Sequence, residues 1–324
     1  MRQGALATGG RNHYVGLTAL DNGPIMTFPA EARLDLLCVG HLNIDHEVRV
    51  AELPKEDRTV PTLTHDIFLG GTAANVARWG ARTGLRCGLA AFVGRDLPEY
   101  MRETLRHDRV DISGVVAREG VLTPTCWIAL DRKAHQQTFI DQGAMARTGR
   151  LALPDLQGVG WVHITTGDPE YQLRVARKAR SLGINVAADP AQEIHYRWNA
   201  RRLHELLSLS EILFVNRSEL TKTLELAERR TPEDLLGEVP LIVETLGSQG
   251  ARAYTRRGTF SVPAKSVRHP QTVTGAGDAF RGGFYGGWLR GLSIEKCLRA
   301  GTAAGALVVA NRRSLFLPIK SRSS

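Results

Sequence analysis

The chain has 324 residues, 43% hydrophobic and 23% charged, which is the balance of a soluble globular protein large enough for one big α/β domain or two small ones. No apolar run reaches the ~18 residues of a membrane-crossing helix. Cys38, Cys87, Cys126 and Cys297 form no CxxC pair, so they read as small buried hydrophobes in a reducing, cytoplasmic setting, not as zinc ligands or a disulfide frame. The net charge is +9, but the basic residues are dispersed, which argues against a nucleic-acid surface and for attraction of phosphorylated small molecules.

Residues 1–33 are polar, glycine-bearing and without an apolar leader core, so they read as a flexible extension and not a secretory signal; Met26 offers an alternative start. The first apolar run, Leu34 to Gly40, predicts a buried strand of a parallel sheet. Ligands of open α/β sheets bind beyond the carboxyl ends of strands. Asn43 and Asp45 therefore fall where a substrate would lie, although a plain Asn/Asp turn is the alternative. Pro54 and Pro61 break up the next stretch, and Ile67-Phe68-Leu69 follows, so short strands outside the main sheet are expected. Gly70-Gly71 leads into an Ala-rich helix carrying Asn75 and ending near Thr83. Leu89 to Val93 predicts a strand, with Gly94-Arg95-Asp96 in its exit loop. Thr123 to Ile140 reads as two strands about the turn Asp131-Arg132-Lys133, and Gln142-Gly143-Ala144 returns the chain to the core.

Trp161 to Ile164 predicts a strand, in which His163 is expected as a satisfied core residue. A helix over 172–182 and a strand Ile184–Ala188 follow, with Asp189 as a loop cap. Ile212 to Val215 leads into Asn216-Arg217-Ser218-Glu219. This is either an N-cap with Glu at the capping-box position or an amide and carboxylate beside a hydrated magnesium ion, which keeps several waters. Leu241 to Thr245 predicts a strand running into the turn Gly247-Ser248-Gln249-Gly250. Ile294 to Ala310 predicts a helix, and the polar tail after Pro318 is expected to fray.

Between them lies Thr272-Val273-Thr274-Gly275-Ala276-Gly277-Asp278-Ala279-Phe280. Gly275 and Gly277 open the backbone to close approach, and Phe280, Phe284 and Trp288 then share one helical face. A small-residue turn opening a helix is an anion site. Asp278 is out of place there. It is either a carboxylate paired with the helix dipole or a base that takes a proton from a hydroxyl while N–H groups hold the transferring phosphoryl.

Thr274-Gly275-Ala276-Gly277-Asp278 resembles the second signature of the ribokinase/PfkB carbohydrate kinase family, usually Asp-Thr-x-Gly-Ala-Gly-Asp. Gly70, Gly71 and Asn75 match its first signature, and Asn216 with Glu219 match its Asn-x-x-Glu. The resemblance spans Leu34 to Pro318. It implies a ribokinase-like three-layer αβα sandwich with a mainly parallel central sheet, in a domain 34–318 with a small β-sheet lid (about 46–69 and 123–141) and a tail 319–324. It implies an ATP- and Mg2+-dependent kinase. Asp278 is then the base, with Gly275, Ala276 and Gly277 as the anion hole. Asn43, Asp45, Gly70, Gly71 and Asn75 take the acceptor. Asn216, Thr245, Gly247, Gly250, Thr274, Gly275 and Gly277 take the nucleotide, and Asn216 with Glu219 take magnesium. Gly94 and Asp96 fit a family loop in which Glu99 stands where a glycine is usual. Thr272 replaces the usual Asp, and Arg312-Arg313 occupies a stretch where relatives often carry a glycine loop. Both places help bind a monovalent cation in ribokinases, so potassium activation is expected to be absent or weak.

The archaeal branch of the family includes fructose-6-phosphate kinases and nucleoside kinases. The basic balance, with Arg95, Arg132 and Lys133 as candidate phosphate contacts, makes a glycolytic 6-phosphofructokinase the expectation, with Arg95 in the acceptor site. The alternative is a nucleoside kinase, or a ribokinase-type sugar kinase; Gly167-Asp168-Pro169-Glu170 resembles archaeal nucleoside kinases. A dehydrogenase would need Gly-x-Gly-x-x-Gly after the first strand, and Gly40 begins no such run. Open lid-strand edges make a homodimer the expected assembly. Neither a nucleic acid nor a membrane is expected as a partner.

Overall fold

The computed structural model describes residues 33–133 and 135–311, so the extension before Arg33, Arg312-Arg313 and the tail lie outside the described residues. In chain order, β1 (Leu34–Val39) is followed by β2 (Asn43–Val50), β3 (Thr62–Gly70), α1 (Thr72–Arg82), β4 (Cys87–Val93), α2 (Glu99–His107), β5 (Asp111–Ala117), β6 (Thr125–Leu130) and β7 (Gln136–Asp141). The second half runs β8 (Val159–Ile164), α3 (Pro169–Ser181), β9 (Asn185–Ala188), α4 (Ala200–Ser208), β10 (Ile212–Asn216), α5 (Arg217–Leu226), β11 (Leu241–Thr245), β12 (Ala251–Thr255), β13 (Gly258–Val262), α6 (Ala276–Trp288) and α7 (Ile294–Ala310). The main sheet has the order β13-β12-β11-β10-β9-β8-β1-β4-β5. It is parallel from β11 to β5, and β12 and β13 add an antiparallel edge.

Its parallel strands are apolar on both faces because helices cover both. In β4, Ala90 and Phe92 join a core with Leu173 of α3, Leu203 of α4 and Leu220 of α5. Leu89, Ala91 and Val93 point the other way, to Val76 of α1, Met101 of α2, Phe284 of α6 and Leu298 of α7. This is the expected three-layer architecture. Five elements had no sequence assignment, α2, β5, α4, β12 and β13; α2 buries only Met101 and Leu105, one turn apart.

The smaller sheet has the order β3-β2-β6-β7. Its pairing begins at Asn43↔Gly70 and Ile44↔Thr125, so Asn43 and Asp45 belong to a lid strand that starts earlier than residue 46. The burial of β2 is inverted. Asn43, Asp45 and Glu47 are buried, while Ile44, His46 and Val48 are only partly so. Polar side chains on the inner face of a strand cost free energy unless something partners them.

α6 is held by glycines on two sides. A Cβ on Gly282 would lie 2.5 Å from the Trp79 Cβ and 2.7 Å from the Gly80 nitrogen of α1. One on Gly283 would lie 2.7 Å from the Ala300 carbonyl oxygen and from the Ala304 Cβ of α7. The third face, Phe280, Phe284 and Trp288, stacks on itself and meets Phe214 and Trp161 of the sheet. The start of α6 therefore has little freedom relative to α1. Gly282→Ala is expected to destabilise by about 1–3 kcal/mol through overpacking, lowering Tm by roughly 2–10 °C in a thermal melt. Gly237→Ala, where the added methyl meets nothing, is expected to stay within about 0.5 kcal/mol.

Candidate active site

The close α1–α6 packing brings two signature motifs together at the carboxyl ends of the parallel strands. Asn75 Nδ2 donates to Asp278 Oδ2 at 3.0 Å. Gly71, just before α1, has φ 95°, and a side chain there would run into the His41 carbonyl. Gly70 leaves the space that the Asp45 carboxylate fills. The sequence-predicted Asn43, Asp45, Gly70, Gly71, Asn75 and Asp278 thus form one cluster.

Gly275 is the N-cap of α6, in the left-handed region at φ 76°, a conformation that costs other residues free energy. The Ala276 N–H closes on the Val273 carbonyl at 3.2 Å, and the Ala279 N–H on Gly275 at 3.0 Å. The N–H groups of Gly277 and Asp278, in the first turn, have no partner within the helix. Of the residues that the resemblance names for the anion hole, Gly275, Ala276 and Gly277, the Ala276 N–H is thus engaged, and the free donors of the first turn are those of Gly277 and Asp278. Thr274 Oγ1 is buried with no hydrogen-bond partner among the described residues.

Carboxylates crowd this pocket. Burial pushes the Asp278 carboxyl up to about 6, against the lowering influence of Arg281 and of the Asn75 hydrogen bond. Burial and the neighbouring charge of Asp278 push Asp45 up to about 7. Asn43 Oδ1 and Asp45 Oδ1 are both buried acceptors with no donor among the described residues. Such atoms are costly unless a ligand supplies the missing hydrogens. Glu47, fully buried on the same strand face, accepts from Arg49 Nε at 3.1 Å. Arg49 also donates to the Gln271 carbonyl at 3.2 Å, tying the lid to the start of the glycine turn.

On the nucleotide side, Asn216 pairs with Thr245 across β10 and β11, and Gly247 and Gly250 follow with φ 56° and 100°. Asn216 and Glu219 make a complete capping box: the Asn216 N–H donates to Glu219 Oε2 at 2.8 Å, and the Glu219 N–H to Asn216 Oδ1 at 2.9 Å. Gln192 donates to the other Glu219 oxygen at 3.0 Å. With both Glu219 oxygens engaged within the protein, an ion placed here would be held through its waters.

Arg95 stands apart. Its side chain is 76% exposed and ion-paired with Glu119, so it is not gathered with the acceptor cluster; Arg132 and Lys133 lie in the exposed hairpin turn. Two residues in the pocket were not singled out for it from sequence, Arg281 and Asp189. Asp189 is neither a loop cap nor a lone loop carboxylate. It is fully buried and held by Arg281 at 2.5 and 2.7 Å. His163 is a core residue, as expected, and lies between Asp189 at 3.3 Å and the Tyr285 hydroxyl at 3.0 Å. The signal for Arg281 was available: a charged residue one turn after Asp278 in a helix otherwise of glycine, alanine and aromatic residues.

Comparison with known proteins agrees with this geometry. The pfkB family carbohydrate kinase model matches residues 33–319. The nucleoside kinase of Methanocaldococcus jannaschii is 30% identical over 275 residues, covering 85% of this chain and 90% of that protein. That of Methanothermobacter thermautotrophicus is 30% identical over 285 residues, covering 85% and 89%. A crystal structure of the Methanocaldococcus jannaschii nucleoside kinase, described as an archaeal member of the ribokinase family, superposes with TM-score 0.79 over 86% of this chain and 92% of that one, at 30% identity. Burkholderia thailandensis nucleoside kinase in complex with inosine shares the fold, with TM-score 0.78 at 20% identity over 86% and 92% of the two chains. The chain belongs to the pfkB family of carbohydrate kinases, within the ribokinase superfamily, and is an ATP-dependent kinase.

Proposed function

We propose that the acceptor is a nucleoside, phosphorylated on its 5′-hydroxyl. The observation that carries this reading is the pair of orphaned acceptors, Asn43 Oδ1 and Asp45 Oδ1. They call for hydroxyl donors, which a furanose with vicinal hydroxyls supplies. The fructose 6-phosphate expectation is set aside. A phosphorylated sugar needs cations, whereas Asp45, Glu47 and Asp278 are mutually repelling carboxylates, and Arg95 is engaged with Glu119 on the surface. The two archaeal relatives described above are nucleoside kinases, not phosphofructokinases.

In this mechanism Asp45 and Asn43 accept hydrogen bonds from the ribose hydroxyls and turn the 5′-oxygen towards Asp278. Asp278 takes the proton as that oxygen attacks the γ-phosphorus. The bond from phosphorus to the β–γ bridging oxygen breaks, ADP leaves, and Asp278 later returns the proton to solvent. The Gly277 and Asp278 N–H groups and the Thr274 hydroxyl steady the transferring phosphoryl. Asn75 aims the Asp278 carboxylate. Thr245, Gly247 and Gly250 border the nucleotide. Magnesium, when bound, neutralises phosphate charge, and Asn216 and Glu219 would hold it through its waters.

The outer face of the lid carries the second proposal. Ile67, His46, Trp127 and Phe139 lie in one row across all four strands, and Ile67, Trp127 and Phe139 are 48%, 42% and 62% exposed. A second copy of the chain covers this row, so the homodimer contact is the apolar face of the lid and not its strand edge.

These readings have direct tests. Asp278→Asn is expected to cut kcat by roughly 10²–10⁴-fold, and the wild-type rate to fall as pH drops through about 6, where the carboxyl gains its proton. A variant retaining most of its turnover rules out the base. In an ATP-consumption assay, kcat/KM for a nucleoside is expected to exceed that for fructose 6-phosphate by about a hundredfold or more. Potassium is expected to change kcat by less than about tenfold, since Thr272 is buried and its hydroxyl accepts from the Thr274 N–H at 3.2 Å. The reverse acceptor order rejects the nucleoside assignment. Sedimentation is expected to give a dimer that Trp127→Glu dissociates; a monomeric wild type or a dimeric variant refutes the interface.

A further inference from the structure

We propose that Arg281 is a built-in cation for the transferring phosphoryl group, contributed by the signature helix itself. The inference rests on the placement of the phosphoryl at Gly275–Asp278 argued above. Arg281 is 5% exposed. Its Nε and Nη2 grip Asp189 at 2.5 and 2.7 Å, and Nη2 lies 3.9 Å from Glu219. The third nitrogen, Nη1, has no acceptor among the described residues. It sits beside Gly277, 2.9 Å from where a Cβ of that residue would be. A guanidinium fork held by two of its nitrogens thus presents the third at the first turn of α6.

That is an unfavourable place for a cation in the empty protein. The N-terminus of a helix is itself positive, and burying a charge is costly unless it is paired. Asp189 offsets the cost, and it is itself oriented by His163 and, through that ring, by the Tyr285 hydroxyl. Four buried side chains fix a charge in a position that benefits an arriving anion more than it benefits the fold. Gly277 is small because Nη1 occupies the space of a side chain. Glycine at this position thereby admits both the phosphoryl oxygens and the guanidinium. Because Arg281 belongs to the same helix as the Gly277 and Asp278 N–H groups, one turn further on, no lid or subunit has to deliver it. Charge here is part of the fold, in keeping with the weak potassium response expected above.

The bond changes are those given for the kinase reaction, and Arg281 neither gains nor loses a proton. Its role is to stabilise the negative charge on the equatorial γ-oxygens as the phosphoryl moves from ADP to the acceptor oxygen.

The test compares Arg281→Met, Arg281→Lys and the charge-balanced Arg281→Met/Asp189→Asn variant, with Asp278→Asn as reference. Kd for ATP and for the nucleoside is measured by calorimetry, and kcat with and without added guanidinium ion. Arg281→Met is expected to lose kcat on the order of 10³-fold while both Kd values change by less than about threefold. Guanidinium is expected to restore at least about tenfold, and Arg281→Lys to recover only part of the rate because a lysine cannot hold Asp189 with two nitrogens and present a third. If Arg281→Met does not fold, the balanced double variant carries the same expectation. A loss in kcat below about tenfold, or a loss that tracks a weaker ATP Kd with no guanidinium rescue, overturns the proposal and leaves Arg281 as a clamp on Asp189. If Asp278→Asn also turns over normally, the phosphoryl site itself has been misplaced; if only the Arg281 variants do, the arginine inference alone fails.

Discussion

The structure depends on a concentration of like charge at one end of a parallel sheet. Asp189, Glu219 and Asp278 surround a single guanidinium, and Asp45 stands beside Asp278; all but the half-buried Asp278 are buried. Burial raises the carboxyls of Asp45, Asp278 and Glu219, while Arg281 holds that of Asp189 below its usual range even against its burial. A packed protein gains nothing from such an arrangement on its own, since desolvated charges oppose folding. In the proposed mechanism it makes sense as preorganisation, with charges already in place for hydroxyls, a proton and phosphate oxygens.

The rest of the fold keeps these groups from relaxing. Glycines at 282 and 283 let α6 sit against α1 and α7 with no side chain between them, and Asn75 reaches Asp278 only because of that closeness. The lid contributes Asn43, Asp45 and Glu47 from the buried face of one strand, and Arg49 links it to the residue ahead of the glycine turn. Asn43 and Asp45, Asp278 and the glycine turn are thus mechanically connected through helix packing and one short strand.

Much of this was legible in the chain. The α7 limits coincide with the apolar segment Ile294–Ala310, and strands such as Ile212–Asn216 announce themselves as short apolar runs ending in polar loop residues. Asp278 and Asn75 could be named from motifs because the chemistry needs those residue types at those spacings. Arg281 was harder. Helical periodicity revealed the aromatic face of α6 and said nothing of what its other faces would meet, and the partner Asp189 lies 92 positions away. Arg95 misled for a related reason: its charge suggested a phosphate contact, yet a nearby acidic residue, Glu119, claims it. Net charge, likewise, describes a surface and not a pocket, and here a protein of net charge +9 gathers carboxylates at one place.

The central claim is that the Asp278 carboxylate faces the hydroxyl to be phosphorylated. A crystal structure with a nucleoside and a non-hydrolysable ATP analogue tests it most directly. The 5′-oxygen should lie within about 2.6–3.2 Å of an Asp278 oxygen, with the ribose hydroxyls on Asp45 and Asn43 and the γ-phosphate at the Gly277 and Asp278 N–H groups. A nucleoside bound with its base, and not its 5′-oxygen, towards Asp278, or a γ-phosphate remote from the glycine turn, would contradict it.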